Sequence, residues 1–435
     1  MYEIIFNPVI ISILTLFIFC LLKINVLLSI IISTIIAGLI SGMHITSIMN
    51  TFISGMGGNS ETALSYILLG AFAAAMNHTG LTDILSKNII TFINGKKFVL
   101  FAILLLLAMA SQNIIPIHIA FIPIIIPPLI HTMNKMNIDR RAVSCVLAFG
   151  LKMPYIVIPI GFGLIFQNLI ADNMVQNGMN VLKTDIWKSV WILGVGMFFA
   201  LLVAVLFSYK KPRIYKDINI TECATDITKL NYKHYITILA AFVTFAVQIL
   251  THSLPLGALC GLGIIFSLGA VKHSNMDKLI DEGIYMMGYV AFVMLVASGF
   301  ATVLKSTGSI ENFVNATVAI LPESQILTAL IMLIIGLIIT MGIGTSFGTI
   351  PILAVVFIPV FIKMGFNIEQ SIVVLAASAA LGDSGSPASD TTLGPTAGLN
   401  VDGQHNHIFD TCIPTFLHFN TALILFALLG IWFLR

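Results

Sequence analysis

Residues 382–396 read Gly382-Asp383-Ser384-Gly385-Ser386-Pro387-Ala388-Ser389-Asp390-Thr391-Thr392-Leu393-Gly394-Pro395-Thr396, directly after the apolar run 371–381. Another apolar segment, 413–433, follows within about one helix length. Two acids, six hydroxyl residues, three glycines and two prolines do not make a lipid-facing helix. In hydrocarbon, irregular backbone survives only where protein or a water-filled cavity receives its amides and carbonyls. Acids at membrane depth are expensive and mark an ion or substrate pathway. The stretch therefore reads as the binding site of a transporter.

The rest of the chain agrees with that class. Of 435 residues, 58% are hydrophobic and 9% charged, with a mean hydropathy of +1.03. Soluble domains carry about 25% charged residues, so a soluble fold is excluded. The net charge of +2 says little by itself. Cys20, Cys145, Cys223, Cys260 and Cys412 are scattered without a C-x-x-C pair, which excludes a zinc or disulfide framework. Glu3 stands where a signal peptide carries basic residues, so the first apolar run reads as a retained helix.

A spanning helix needs about 20 mostly apolar residues. The hydropathy pattern predicts spans at 4–22, 24–42, 61–78, 98–115, 117–133, 142–160, 187–209, 235–251, 254–271, 285–304, 324–343, 349–363, 368–381 and 413–433. Amphipathic pieces at 46–56, 81–94, 276–284 and 309–320 read as interfacial. The expected fold is an all-α polytopic membrane protein of about 12–14 segments. Its long polar connection, 210–233, carries six Lys or Arg against three acids and is expected in the cytoplasm. It divides a first repeat, 1–209, from a second, 234–435.

Phe72-Ala73 and Thr79-Gly80 recur as Phe300-Ala301 and Thr307-Gly308, and Pro123 as Pro351, all at an interval of 228. Asn137-Ile138-Asp139 recurs as Asn367-Ile368-Glu369 at 230. Loops of the first half hold Lys96, Lys97, Lys135, Arg140 and Arg141 against Asp139, whereas their counterparts hold Lys363 against Glu323 and Glu369. This asymmetry predicts inverted repeats, a hallmark of secondary transporters. Each repeat also has an apolar pair interrupted by a polar tip, Ser111-Gln112-Asn113 or 342–349. Two full spans and a re-entrant hairpin remain equally open for each pair.

If helix 368–381 stops at Leu381, its carbonyl end points toward Asp383 and disfavours an ionised carboxylate lacking a cation. Sodium or a proton answers that need, and hard cations prefer oxygen ligands. Asp383, Ser384, Ser386, Ser389, Asp390, Thr391 and Thr392 supply them. At the interval of 230, Lys152 falls opposite Gly382, where its ammonium either pairs with the acid, stands in for a second cation, or snorkels to the interface. Gly-Asp-Ser-Gly-Ser-Pro also resembles a trypsin-like nucleophile segment, but the β-barrel and fixed His and Asp partners of that chemistry are missing. No enzyme is expected.

Gly382-Asp383, Ser386-Pro387 and Ser389-Asp390-Thr391-Thr392 together resemble the signature of the NhaC-type sodium/proton antiporter family. The run through Gly394-Pro395-Thr396, Asp402-Gly403, His405 to His407 and Asp410-Thr411-Cys412 is similar to a bacterial branch that includes amino acid permeases. The specific match covers residues 381–420. The resemblance implies inverted repeats with re-entrant hairpins and broken helices. It also implies that Ser111, Asn113, Thr345 and Ser346 lie at hairpin tips around the ion.

The leading expectation is a sodium/proton antiporter of the bacterial cytoplasmic membrane, with Na+ and H+ as coupling ions and no other cofactor. The alternative is an ion-coupled amino acid permease, for which His405, Asn406, His407 and Asp410 supply extra polar capacity and Lys152 a cation. Expected partners are the lipid bilayer and the transported ion or amino acid, with a homodimer as the open oligomeric option. No nucleic acid is expected.

Overall fold

The computed structural model describes residues 7–22, 24–81, 96–113, 122–216, 230–251, 253–310, 312, 315, 323–343, 345–387 and 389–434. Every regular element among them is helical. In chain order they are α1 (Pro8–Leu21), α2 (Val26–Ile40), α3 (Ile45–Met56), α4 (Ser60–His78), α5 (Lys97–Asn113), α6 (Ile122–Lys135), α7 (Arg140–Val157) and α8 (Phe162–Gln176). There follow α9 (Ile186–Val203), α10 (Tyr232–Thr251), α11 (Leu254–Ser267), α12 (Met276–Ser306), α13 (Gln325–Ile343), α14 (Ser346–Lys363), α15 (Ile368–Ala380), α16 (Asp390–Leu399) and α17 (Thr421–Phe433). Wider π-type turns continue α9 over Ala204–Ser208 and precede α17 from His407.

Among the described residues, five helices are long and apolar enough to cross a bilayer. The pair α7 and α8 passes together with a 47° bend, and six further apolar helices have 10–17 residues. Outward apolar side chains such as Phe198, Phe199, Phe207 and Trp191 fit a lipid solvent. The expected separation of 276–284 from 285–304 does not occur, because α12 is one helix of 31 residues. Gly283 lets it pass α4 closely: a Cβ there would lie 2.3 Å from the amide nitrogen of Ala71. The piece expected at 46–56 becomes α3, whose Ile48, Phe52 and Gly55 are buried. Residues 82–94, 114–121 and most of 311–322 lie outside the described residues, so the predicted segments there stay expectations.

The helix boundaries repeat. Val26 and Leu254, Lys97 and Gln325, Arg140 and Ile368, and Phe162 and Asp390 each begin matching helices 228 residues apart. Lys135 and Lys363, and His78 and Ser306, end matching helices at that interval. The expected interval of 230 near residue 138 is corrected by capping chemistry. Asp139 and Asn367, 228 apart, each cap a helix by accepting a backbone N–H. Contacts between the halves are reciprocal: α8 packs on α14 and α16 on α6, while α4 packs on α11 and α12 on α2. Reciprocity of this kind is what a two-fold relation between halves produces.

Equivalent crossings solve one steric problem in opposite ways. Where α5 meets α7, Gly150 on α7 faces Ala108, and a Cβ on Gly150 would come within 2.5 Å of the Ala108 Cβ. Where α13 meets α15, the glycine is Gly336 on α13, and its absent Cβ makes room for Ser378 at the same 2.5 Å. Ala108 and Gly336, and Gly150 and Ser378, are both 228 apart. The two crossings thus have the same spacing, with the small residue exchanged between partners.

Candidate functional site

Helix α15 ends with the Leu381 amide donating to the Ala377 carbonyl at 2.7 Å. Gly382 at φ +78° and Gly385 at φ +108° then turn the chain. A Cβ on Gly382 would press the Met341 amide nitrogen at 2.7 Å, and one on Gly385 would press Phe416 at 2.5 Å. Both positions demand glycine through conformation and space. The resulting loop carries buried Asp383, Ser384, Ser386 and Ser389. Its backbone groups are received by the protein. The Ser386 amide donates to the Gly382 carbonyl at 2.9 Å, and Thr392 Oγ1 donates to the carbonyls of Ser386 and Ser389. Asn420 straddles the turn, donating to the Ser384 carbonyl at 3.0 Å and accepting from the Gly382 amide at 3.4 Å. Irregular backbone is tolerated at membrane depth on these terms.

Asp383 is the centre of this loop. Its Oδ2 accepts from the hydroxyls of Tyr155 and Ser346, both at 2.8 Å, and those two oxygens are themselves 2.8 Å apart. Oδ1 accepts from Ser389 Oγ, which sits 3.0 Å from Thr391 Oγ1. Thr391 Oγ1 donates to the Asp383 carbonyl at 2.9 Å. The hydroxyl oxygens keep lone pairs, so carboxylate, Tyr155, Ser346 and Ser389 together offer the all-oxygen surroundings a hard cation takes. Lys152, fully buried, donates from Nζ to the carbonyl of Ala380, in the last turn of α15. A cation there opposes the negative end of the helix dipole.

The first repeat is broken at the matching place. Between α7 and α8 the amide of Asn113 donates to the carbonyls of Pro154, Ile158 and Ile160 at 3.3, 3.2 and 2.9 Å. Three carbonyls around one group fix it as the nitrogen, so the buried Oδ1 is left as an acceptor with no partner among the described residues. Ser111 Oγ donates within its own helix to Ala108 at 2.8 Å. Thr345 precedes α14, half-exposed, and its carbonyl accepts from Thr349. The structure thus gathers Ser346, Ser389 and Thr391 around Asp383, and Ser386 and Thr392 within the same loop. Ser384 Oγ is buried without a partner among the described residues. The side chain of Asp390 lies outside the described residues.

Of the residues expected to receive a substrate, Lys152 lies instead at the end of α15, while His405, Asn406, His407 and Asp410 form a second group, at the start of α7 and the linker. Asp410 Oδ1 accepts from Arg213 at 2.6 Å, and its Oδ2 accepts from the Asn406 amide at 2.8 Å. Asn406 caps the following turn. Buried Arg140 grips Asp402 with both Nη atoms at 2.7 and 2.5 Å, and lies 4.2 Å from the centre of the Tyr215 ring. Burial alone would raise the Asp402 pKa, but hydrogen bonds and charge from Arg140 hold it below the usual carboxylate range. Gln404 clasps the backbone of Lys216 with two hydrogen bonds of 2.8 Å. His407 bridges the groups, with Nε2 3.0 Å from the Pro387 carbonyl and Nδ1 2.7 Å from Thr396 Oγ1. Tyr155, Asn420, Arg140 and Arg213 were missed from the sequence. Tyr155 alone carried a signal, standing 228 residues before Asp383.

Comparison with known proteins places the chain in a family. Residues 146–431 match the model of the Na+/H+ antiporter family, and residues 7–93 match a second model described as a Na+-H+ antiporter family. The chain is 42% identical over 438 residues to "Putative amino acid transporter YuiF" of Bacillus subtilis, covering 97% of this chain and 98% of that one. An uncharacterized Na(+)/H(+) antiporter of Haemophilus influenzae is 34% identical over 168 residues, 38% of this chain and 35% of its own. Among solved structures, the YdaH transporter of Alcanivorax borkumensis superposes with a TM-score of 0.60 at 11% identity, covering 89% of this chain and 88% of that one. MtrF of Neisseria gonorrhoeae superposes with a TM-score of 0.51 at 13% identity, over 88% and 84%. At these identities the structures speak for the fold alone. A family match over most of the chain, full-length relatives and a buried carboxylate on a broken helix converge: this membrane protein belongs to the Na+/H+ antiporter family.

Proposed function

We propose that the chain exchanges sodium for protons across the bacterial cytoplasmic membrane, with Asp383 binding either cation in turn. The observation that carries this reading is the environment of that carboxylate: buried, met by Tyr155, Ser346 and Ser389, and placed at the carbonyl end of α15. A proton and a sodium ion compete for the same oxygens, and competition suffices for exchange if the site opens to one side at a time. The two halves supply the elements that rock against each other. Ser384 Oγ, buried without a partner among the described residues, adds an oxygen from the same loop. Lys152, buried and bonded to the Ala380 carbonyl, places its amino group beside the site, where its ammonium form stands in for a second cation.

A proteoliposome assay tests the reading. An imposed sodium gradient should drive proton movement in the opposite direction, and Asp383→Asn should abolish it. Normal exchange by that variant would remove Asp383 from the mechanism.

The second reading is an ion-coupled amino acid permease. It is favoured by the name of the Bacillus relative and by the polar segment 404–410 beside the linker. Uptake of radiolabelled amino acids under the same gradient, absent from protein-free vesicles, would make it the principal activity.

A further inference from the structure

Five aromatic rings pack against one another on one flank of the Asp383 carboxylate. Tyr66 of α4 meets Phe162 of α8 and Phe347 of α14, each at a centroid distance of 5.4 Å. Phe347 also meets Tyr155 at 5.3 Å and Phe166 at 5.8 Å, and Tyr155 meets Phe166 at 5.2 Å. All five are buried, Phe347 being the most exposed at 6%. Phe347 meets rings from α4, α7 and α8, so it is the hub of the cluster. The cluster is joined to the carboxylate twice. The Tyr155 hydroxyl donates to Asp383, and Ser346, which donates to the same oxygen, precedes Phe347 in the chain.

The rings lie on the side of the site away from the linker. Helix α7 starts at Arg140, beside Tyr215 of the linker, and reaches the site at Lys152 and Tyr155. Helix α8 continues that span across the 47° bend. Helix α14 leaves the site alongside it: Phe166 meets Phe347 near the two starts, and a Cβ on Gly178, just beyond α8, would lie 3.9 Å from Ile362 near the end of α14. Phe166 and Phe347 thus stand between Asp383 and the face that carries Lys363. The other flank of the carboxylate is polar. Ser389 and Thr391 present hydroxyls there, and the loop includes exposed Pro387, whose carbonyl faces His407 of the segment beside the linker.

We propose that these rings, with Phe347 as hub, form the gate that shuts the Asp383 site from the Lys363 face. The proposal rests on the exchange reading above, in which the site opens to one side at a time.

A wall of packed rings excludes water, and a cation stripped of water does not cross a dry apolar constriction. The helices that bear Phe162, Phe166 and Phe347 both start at breaks. Phe162 follows Gly161 at φ +57°, and Phe347 comes two residues after Thr345, which is extended at φ −144° and ψ 131°. Hinge motion uses such element-terminal residues. A rotation of α14 about its break would part Phe347 from Tyr66 and Phe166 without unwinding the helix. The same rotation carries Ser346, so the hydrogen bonding of Asp383 and the closure of the rings change together. A cation that alters the first biases the second.

Leucine and asparagine share the same branched shape at Cγ and differ in polarity, so they separate a dry seal from simple packing. Proteoliposomes loaded with radioactive sodium report sodium efflux and proton uptake side by side. Phe347→Leu should keep the parental ratio of protons to sodium. Phe347→Asn places a polar amide in the wall, and sodium should then run down its gradient with the accompanying proton movement lost. Phe166→Asn should uncouple in the same way from a different helix. Sodium binding to the purified variants should be retained, because Tyr155, Ser346 and Ser389 still meet the carboxylate. Asparagine variants with the parental ratio would overturn the gate. So would leucine and asparagine variants that lose sodium binding and flux in parallel, since the rings would then only support the site by packing. A parent protein whose sodium movement carries no protons would overturn the exchange reading and the gate together, which separates that failure from one seen only in the variants.

Discussion

The hydroxyl of Tyr155 donates to Oδ2 of Asp383 at 2.8 Å, and the two residues are 228 positions apart, the interval that relates the two halves of the chain. Lys152 and Ala380 are joined at the same interval. A residue that touches its own counterpart must lie on the axis relating the repeats. The Asp383 site therefore sits on the axis, but its two sides differ in chemistry. The second repeat contributes the carboxylate and a helix-end carbonyl, whereas the first contributes a phenol and an ammonium. Of the two matching positions, only the one in the second half is an acid.

Tyr155→Phe should weaken sodium binding without unfolding the protein. The variant loses one of three donors to Asp383, and a hydrogen bond to a charged group contributes about 1.5–3 kcal/mol. The ring keeps its contacts with Phe166 and Phe347 at centroid distances of 5.2 and 5.3 Å. The apparent KM for sodium in exchange assays should rise roughly tenfold, the lower end of that range. An unchanged KM would mean that the phenol does not support the ion-binding form of the carboxylate.

The exchanged glycines predict a rescue. Gly336→Ala forces a Cβ to within 2.5 Å of the Ser378 Cβ and should destabilise by about 1–3 kcal/mol through overpacking. Adding Ser378→Gly recreates the arrangement of Ala108 and Gly150 and should recover most of the loss. Melting of the detergent-solubilised protein reads both effects. If the double variant melts no higher than Gly336→Ala, the equivalence of the crossings is wrong.

Arg140 and Asp402 form a fully buried pair, with side chains 0% and 1% exposed. Arg140→Leu alone strands a buried carboxylate, at a cost of about 3–5 kcal/mol, while Arg140→Leu with Asp402→Leu should recover much of it. The pair also sets a pH dependence. Because the folded protein depresses the Asp402 pKa, its stabilisation is present above the ordinary carboxylate range and is lost as pH falls through the folded value. The parent should therefore lose stability in acid more steeply than the double leucine variant. Parallel melting curves against pH would contradict this.

The loop at 382–396 was legible because its composition conflicts with everything around it. The repeat was legible too, but matching identities gave an interval of 230 near Asn137, whereas the helix caps Asp139 and Asn367 keep 228. That slip set Lys152 opposite Gly382, when its partner is the Ala380 carbonyl. Tyr155 was not legible, since a tyrosine among apolar residues reads as packing until a partner is seen. Nor was the pairing of Arg213 with Asp410 across 197 residues, because an isolated charge carries no sign of its mate. The single long helix at 276–306 escaped because its acidic first turns resemble an interfacial piece, and only the close approach at Gly283 shows otherwise.

Inversion of the repeats predicts a labelling pattern. Lys135 and Lys363 end matching helices and are exposed. Lys135 lies near Arg140 and Arg141, while Lys363 lies near Glu369, so the positive-inside bias sends them to opposite faces. The linker already marks the Lys135 side, since the Arg213 amide donates to the Asn137 carbonyl at 3.1 Å. With the five native cysteines replaced by serine, Lys135→Cys and Lys211→Cys should resist a membrane-impermeant maleimide in intact cells and react after permeabilisation. Lys363→Cys should react without permeabilisation. Labelling of Lys135→Cys and Lys363→Cys from one face would make the repeats parallel, with a two-fold axis along the membrane normal, and would remove inversion as the basis of alternating access.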